Sequence, residues 1–348
     1  MPRCLWVILL ACVAVFSACS TDIDLYADYK EMPVIYGLLD ANADTNYVKI
    51  TRIMSVHGDA YQVASNPDSS DYPGKLDVRI VEYRNGDSLR EIVLDTITIH
   101  DKEQGVFYAP DQKLYYTTEK LKINTPKSNY SYRLKVALPD RTLTTKADIV
   151  GNNGFDVQSL AVNFSKEYFG WSRKFLFHPA INANLYQVSM AFTYLEQRTP
   201  DGDSVPRTML WNVGSFPNEY FIYSMEGDCY AFPYLPETFY AKLTEFIGGD
   251  TAVVGLKRYI GDYPVEVIID AAGEELTQYI EWSALGSYGM FSGNDFTLID
   301  GGTGVFSSRM TTKRKVRLAG TTVPDLLAHT NWGFKFCGGE KVNESVEP

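Results

Sequence analysis

Tyr130-Ser131-Tyr132-Arg133-Leu134-Lys135-Val136-Ala137-Leu138 decides how the first half of this chain is read. Tyr130, Tyr132, Leu134, Val136 and Leu138 alternate with Ser131, Arg133 and Lys135. Successive side chains of a strand point to opposite faces, so a period of two sets one face on a core and the other in water. The same period recurs upstream, where Leu76, Val78 and Ile80 alternate with Asp77 and Arg79. Asn85-Gly86 then separates two such runs. That dipeptide is a strong hairpin signal, because a type I′ turn needs positive φ at both central positions. Residues 33–39, 46–53, 105–108, 113–118 and 142–150 read as further strands, and 65–74 as a loop by composition.

Strands at this spacing predict a mainly β fold that opens with a β-sandwich over residues 32–150. The Tyr-bearing run at 130–138 resembles a late strand of an immunoglobulin or fibronectin-like sandwich. Residues 151–154, Gly-Asn-Asn-Gly, read as a linker. Residues 155–348 read as a β-rich α+β domain with a few short helices. Tyr186, Val188, Met190, Phe192 and Tyr194 alternate as a long half-buried strand, and Val265, Val267 and Ile269 as another. Pro236 opens a helix carrying Phe239, Leu243 and Phe246, and Gly248-Gly249 closes it. Residues 274–282 form a second short helix with Leu276, Tyr279 and Ile280 on one face, and 324–329 a third. Residues 304–309 and 313–318 read as a hairpin.

The 348 residues are 45% hydrophobic and 14% aromatic, enough for a real core, so wholesale disorder is excluded. A formal charge of −11 argues against a nucleic-acid partner, which needs a basic footprint. The first residues supply the address. Arg3 precedes an apolar run over 4–16, shorter than the roughly 20 residues of a membrane span and suited to a secretory leader. Ser17-Ala18-Cys19-Ser20 resembles a bacterial lipobox, with Phe16 where Leu is usual. Residues 1–18 are therefore expected to be a lipoprotein signal peptide, Cys19 the lipidated first residue of the mature chain, and 19–31 a tether. Ser20 after the cysteine resembles an outer-membrane destination, and Asp22 and Asp24 resemble an acidic surface-export signal. Cleavage removes Arg3 and takes the charge from −11 to −12.

Cys229 and Cys337 remain. In an oxidising compartment they can pair, closing a loop of about 109 residues at roughly 4–5 kcal/mol of chain entropy, or stay as two buried thiols. There is no C-x-x-C and no paired Cys/His spacing, so no metal or cofactor is expected. The four histidines, His57, His100, His178 and His329, are far apart in sequence. Asp40 to Asn46 has oxygen ligands at alternate positions, like the start of a calcium loop, but Thr45 stands where Gly is needed and Thr51 where Glu is needed. Glu274 and Glu275 are adjacent, so on a helix they diverge and cannot form an acid/base pair alone. Lys313, Lys315 and Arg317 share one face of a strand and read as a solvated face. Tyr230, Phe232 and Tyr234, or Tyr220, Phe221 and Tyr223, could supply stacking platforms for a glycan.

The relaxed lipobox at Cys19, the run Pro33-Val34-Ile35-Tyr36-Gly37-Leu38-Leu39, the strand from Tyr186 to Glu196, and Gly302-Thr303-Gly304-Val305-Phe306-Ser307-Ser308-Arg309 together resemble a family of Bacteroidota outer-membrane lipoproteins defined only as a domain of unknown function. The resemblance supplies no catalytic residue. It implies a TonB-dependent outer-membrane transporter as partner, in nutrient uptake or surface assembly. The sequence reading is thus a lipid-anchored envelope protein with a non-enzymatic binding or accessory role. The alternatives are a surface glycan-binding protein or glycan hydrolase, and an accessory subunit of a surface fibre.

Overall fold

The computed structural model describes residues 31–53, 65–66, 70–103, 105, 108–109, 111–199, 202–220, 228–249, 255–287 and 298–337. The leader, Cys19, the tether up to residue 30, His57 and the middle of the strand expected at 105–108 lie outside the described residues. The chain is mostly strand, with three α-helices among the described residues, a β-rich α+β fold.

The first half holds β1 (Met32–Leu39), β2 (Asn46–Ile53), β3 (Asp77–Arg84), β4 (Asp87–Val93), β5 (Asp95–Ile99), β6 (Gln112–Thr117), β7 (Tyr130–Ala137) and β8 (Thr142–Asp148). β1, β2, β6 and β5 lie side by side in that order, and β4, β3, β7 and β8 form a separate sheet. Ile35, Val48, Ile50 and Tyr115 of the former share one core with Val78, Ile80, Leu134 and Val136 of the latter. The period of two in β7 is realised: Tyr132, Leu134 and Val136 are fully buried and Arg133 is exposed. Asn85 and Gly86 adopt φ of 51° and 95°, the pattern of a type I′ turn, and join β3 to β4. Glu82 continues the inward row of β3. Its carboxylate is satisfied by Arg90 Nε at 3.1 Å and by the Tyr132 hydroxyl at 3.2 Å. That hydroxyl also accepts from the Lys122 amide at 2.6 Å.

The second half adds β9 (Ala161–Val162), β10 (Arg173–Phe177), β11 (Leu185–Gln197), β12 (Val205–Pro217), β13 (Tyr230–Tyr234), α1 (Pro236–Ile247), β14 (Lys257–Ile260), β15 (Val265–Ala272), α2 (Glu274–Ser287), β16 (Thr303–Leu318), α3 (Thr322–Ala328) and β17 (Phe334–Phe336). β11 is the long strand expected, with Tyr186, Val188, Met190, Phe192 and Tyr194 all buried in a second, aromatic core. α1 starts at Pro236 and ends on Gly248, whose φ of 85° is the left-handed cap that glycine favours. At the far end of β11, Glu196 and Arg258 form an ion pair at 3.2 Å, with both side chains buried.

Three expectations need correction. Residues 304–309 and 313–318 are not a hairpin but parts of one 16-residue strand, β16. Met310-Thr311-Thr312 between them holds no Gly, Pro, Asn or Asp to turn the chain, and Thr favours strand. Residues 151–154 are not a slack linker. Gly151 is buried, donates to the Ile181 carbonyl, and packs so closely on Met310 that a Cβ would fall 1.8 Å from its sulfur. α2 runs on to Ser287 and buries Thr277, while Ile280 on the face expected to be apolar is 42% exposed.

β16 is the strand on which the two halves meet. Its first part pairs in parallel with β1, from Val34 opposite Thr303 to Leu39 opposite Ser308. Its second part pairs antiparallel with β15, from Ala272 opposite Arg309 to Val265 opposite Val316. The result is one 11-stranded sheet whose main path is β17-β14-β11-β15-β16-β1-β2-β6-β5. Phe306 lies in the first core, and Met310, Val316 and Leu318 in the second. Gly37 faces Phe306 with no side chain because a Cβ there would lie 2.8 Å from the ring. Gly304 has a φ of 108°, and a Cβ would lie 2.0 Å from the Ile35 carbonyl oxygen. Gly304→Ala should therefore destabilise the protein by about 2–4 kcal/mol, read as a lower urea midpoint at unchanged slope. An unchanged midpoint would contradict this account of the β1–β16 seam.

Candidate functional site

Two buried serines of β16 tie the neighbouring elements to the seam. Ser308 Oγ accepts from the Val150 amide at 2.8 Å and donates to the Asp148 carbonyl at 2.6 Å, holding the end of β8. Ser307 Oγ accepts from the Leu276 amide at 3.1 Å and donates to Glu275 Oε2 at 2.9 Å, holding the first turn of α2. Burial raises the Glu275 carboxyl above the ordinary glutamate range, and the negative charge of Asp148 adds to this. The Ser307 hydroxyl and the helix amide act in the opposite sense. Ser307 is fully buried, so the Ser307–Glu275 contact is a structural joint rather than a reacting pair. The raised carboxyl favours its protonated form in the fold. Its stabilisation is complete below the ordinary glutamate value and is lost as pH rises through the raised one. Glu275→Gln, which keeps an acceptor for Ser307, should raise the melting temperature at pH 8 and leave it near wild type at pH 4. A variant equally shifted at both pH values would refute the assignment.

The residues singled out in the sequence fall into place differently. The oxygens of the Asp40–Asn46 stretch are used inside the hairpin: Asn46 Oδ1 accepts from the Asp40 amide at 2.7 Å and Asp40 Oδ1 from the Asn42 amide at 2.8 Å. The Lys120 ammonium takes the place a cation would have, against the carbonyls of Asn42 and Ala43 and the Asp44 carboxylate. No group of three or more His, Cys, Asp or Glu side chains able to hold a metal occurs among the described residues. His100 pairs with Asp111, His178 with Asp156, and His329 stacks on Trp332 at 3.9 Å. Lys313, Lys315 and Arg317 are exposed.

Cys229 and Cys337, left by the sequence either to pair or to stay as two thiols, are not bridged. Tyr230, next to Cys229, packs on Tyr186 near the start of β11. The Cys337 amide donates to Ile260 of β14, which pairs with the other end of β11 at Leu195–Gln197. At about 3.3 Å per residue those ends are roughly 30 Å apart, against the 7 Å limit between bridged Cα atoms. Tyr230, Phe232 and Tyr234 are not stacking platforms but core residues of β13. Tyr220 is 55% exposed, and Phe221 and Tyr223 lie outside the described residues.

Two concavities border the seam. One, of about 550 Å³, is a wide groove lined by Asn152, Gly154, His178, Pro179, Ile181 and Asp228. His178 Nδ1 lies 3.1 Å from Asp156 Oδ1 beside it, and no hydroxyl or thiol nucleophile is among its lining residues within the described chain. The other is a basin of about 460 Å³ at the Asn85–Gly86 end of the small sheet. Its walls come from the end of β3 (Tyr83), the turn (Asn85, Gly86), Asn129 before β7, the start of β7 (Tyr130, Ser131, Arg133), and β8 (Lys146, Asp148). The Arg133 guanidinium stacks over the Tyr83 ring at 5.1 Å, and Lys146 pairs with Asp148 at 2.8 Å. The turn itself is tied down, since Asn85 Oδ1 accepts from the Asn129 amide at 2.8 Å and Asn85 Nδ2 donates to the Lys127 carbonyl. Sequence reasoning placed Arg133 on the outward face of its strand and went no further. Its neighbours Tyr83 and Lys146 become visible only once the strand register is known.

No helix among the described residues is long and apolar enough to cross a membrane. No protein-family model and no curated protein matches the sequence.

Proposed function

We propose that this chain is a lipid-anchored protein of the outer membrane with a binding or accessory role, held by Cys19 and working alongside a TonB-dependent transporter. The anchor part of the reading rests on the leader over residues 1–18 and the small residues around Cys19. Each buried methylene of a lipid chain contributes about 0.8 kcal/mol, so several chains on one cysteine hold firmly. The transporter follows from the family resemblance. The observation that carries the binding part is the basin over Tyr83 and Arg133. It combines an aromatic ring, a cation, hydroxyls and an amide around one concavity, and contains no histidine or cysteine.

The strand order supports an immunoglobulin-like reading of the first half. β1-β2-β6-β5 against β4-β3-β7-β8 corresponds to A-B-E-D against C′-C-F-G. The Tyr132 hydroxyl reaches back to Lys122 in the loop before its own strand, as a tyrosine corner does. Such a module presents ligands on a rigid face while the tether leads to the membrane.

Fractionation of cells tests the anchor. Wild-type protein should sediment with the outer membrane, and Cys19→Ala should appear in the soluble fraction. A Cys19→Ala form that stays fully membrane-bound would sink the anchoring claim. Isolation from intact membranes in mild detergent should bring down a β-barrel protein in stoichiometric amount, and its absence would remove the transporter from the reading.

A further inference from the structure

We infer that the basin binds an acidic saccharide, with a ring carboxylate on Arg133 and ring hydroxyls on Tyr83, Ser131 and Asn129. This rests on the reading of the chain as a binding protein.

The argument begins with charge pairing across the small sheet. In the β7–β8 register Arg133 lies directly opposite Lys146. Like charges in directly opposed positions on neighbouring strands destabilise a sheet, so such a pair calls for compensation. Lys146 has it, from Asp148 at 2.8 Å. So do the other cations on the outer face of these strands. Arg79 is bound by Asp77 and Glu91, and Lys135 by Glu91. Arg133 alone on that face has no carboxylate among the described residues.

Arg133 is also held. Its guanidinium lies over the ring of Tyr83, a diagonal neighbour on β3, and spends none of its five N–H donors within the described residues. A planar fork matches a planar carboxylate with two parallel hydrogen bonds.

The rest of the wall is neutral and of two-way character. Tyr83, Ser131 and Asn129 line the basin, and their side chains make no hydrogen bond within the described residues. Hydroxyl and amide groups both give and accept hydrogen bonds, as the hydroxyls of a sugar ring do. An acidic peptide would match Arg133 too, but its amide N–H only donates and its carbonyl only accepts, whereas each hydroxyl of a sugar ring does both. The volume of about 460 Å³ lies in the range of small-ligand sites.

The test uses the full lipidated protein in detergent micelles and isothermal titration. The probes are trimers of galacturonate, glucuronate and guluronate, the methyl ester of each, and triglutamate. At least one uronate trimer should bind, and its methyl ester should bind at least tenfold more weakly. Arg133→Gln should lose at least tenfold in affinity at an unchanged melting temperature. Arg133→Lys, which keeps the charge without the fork, should fall between. Tyr83→Phe, which keeps the stack and removes the hydroxyl, should weaken binding about threefold or more.

Equal binding of an acid and its ester, or full affinity in Arg133→Gln, would overturn the carboxylate assignment while leaving a binding protein. Equal affinity for triglutamate would overturn the saccharide assignment in favour of acidic peptides. Binding of no probe would overturn the inference altogether. Co-isolation with a β-barrel protein is a separate readout, so the broader reading fails or stands on its own.

Discussion

The parallel pairing of β1 with the first part of β16 joins residues near the start of the described chain to residues near its end. Long-range parallel pairing is expensive in chain entropy and must be repaid by what it brings together. Here it brings together two cores. Phe306 enters one and Met310, four residues on, enters the other. The close approach of backbones at Gly37 and Gly304 follows from this, because any side chain at either position would strike Phe306 or Ile35. Ser307 and Ser308, buried at the crossing, use their hydroxyls to fasten α2 on one side and β8 on the other.

That seam also explains where the concave surfaces lie. β8 ends at the seam, so Asp148, which closes the basin, sits two residues before the Val150 amide that Ser308 holds. Asn152 and Gly154, which line the wide groove, follow directly, with Gly151 packed against Met310 of β16. Each concavity thus has one edge fastened to β16. Within the basin, Tyr83, Arg133 and Lys146 stand on paired strands, which keeps these side chains in fixed relation.

Local pattern carried much of the fold into view. The strands of β3, β7 and β11 read directly from a period of two, the type I′ turn from Asn85-Gly86, and α1 from Pro236 and Gly248. What stayed hidden was set by long-range partners. A strand of 16 residues carrying Phe306 in one core and Met310 in another looks, in sequence, like two short strands. Gly-Asn-Asn-Gly at 151–154 has linker composition, yet the glycine is there because Met310 fills the space a side chain would need. The candidate site was only half legible for the same reason. Arg133 was visible as an outward residue, but that Lys146 opposes it and Tyr83 underlies it depends on a register no local signal states. The aromatic residues that drew attention as ligand platforms, Tyr230, Phe232 and Tyr234, proved to be core because β13 packs its alternate residues inward beside β10.

The central claim is that β16 makes the two halves one cooperative body. Differential scanning calorimetry of the intact chain tests it most directly. A shared strand predicts a single transition in which the calorimetric and van't Hoff enthalpies agree. Two resolved transitions, with one half melting while the other stays folded, would contradict it.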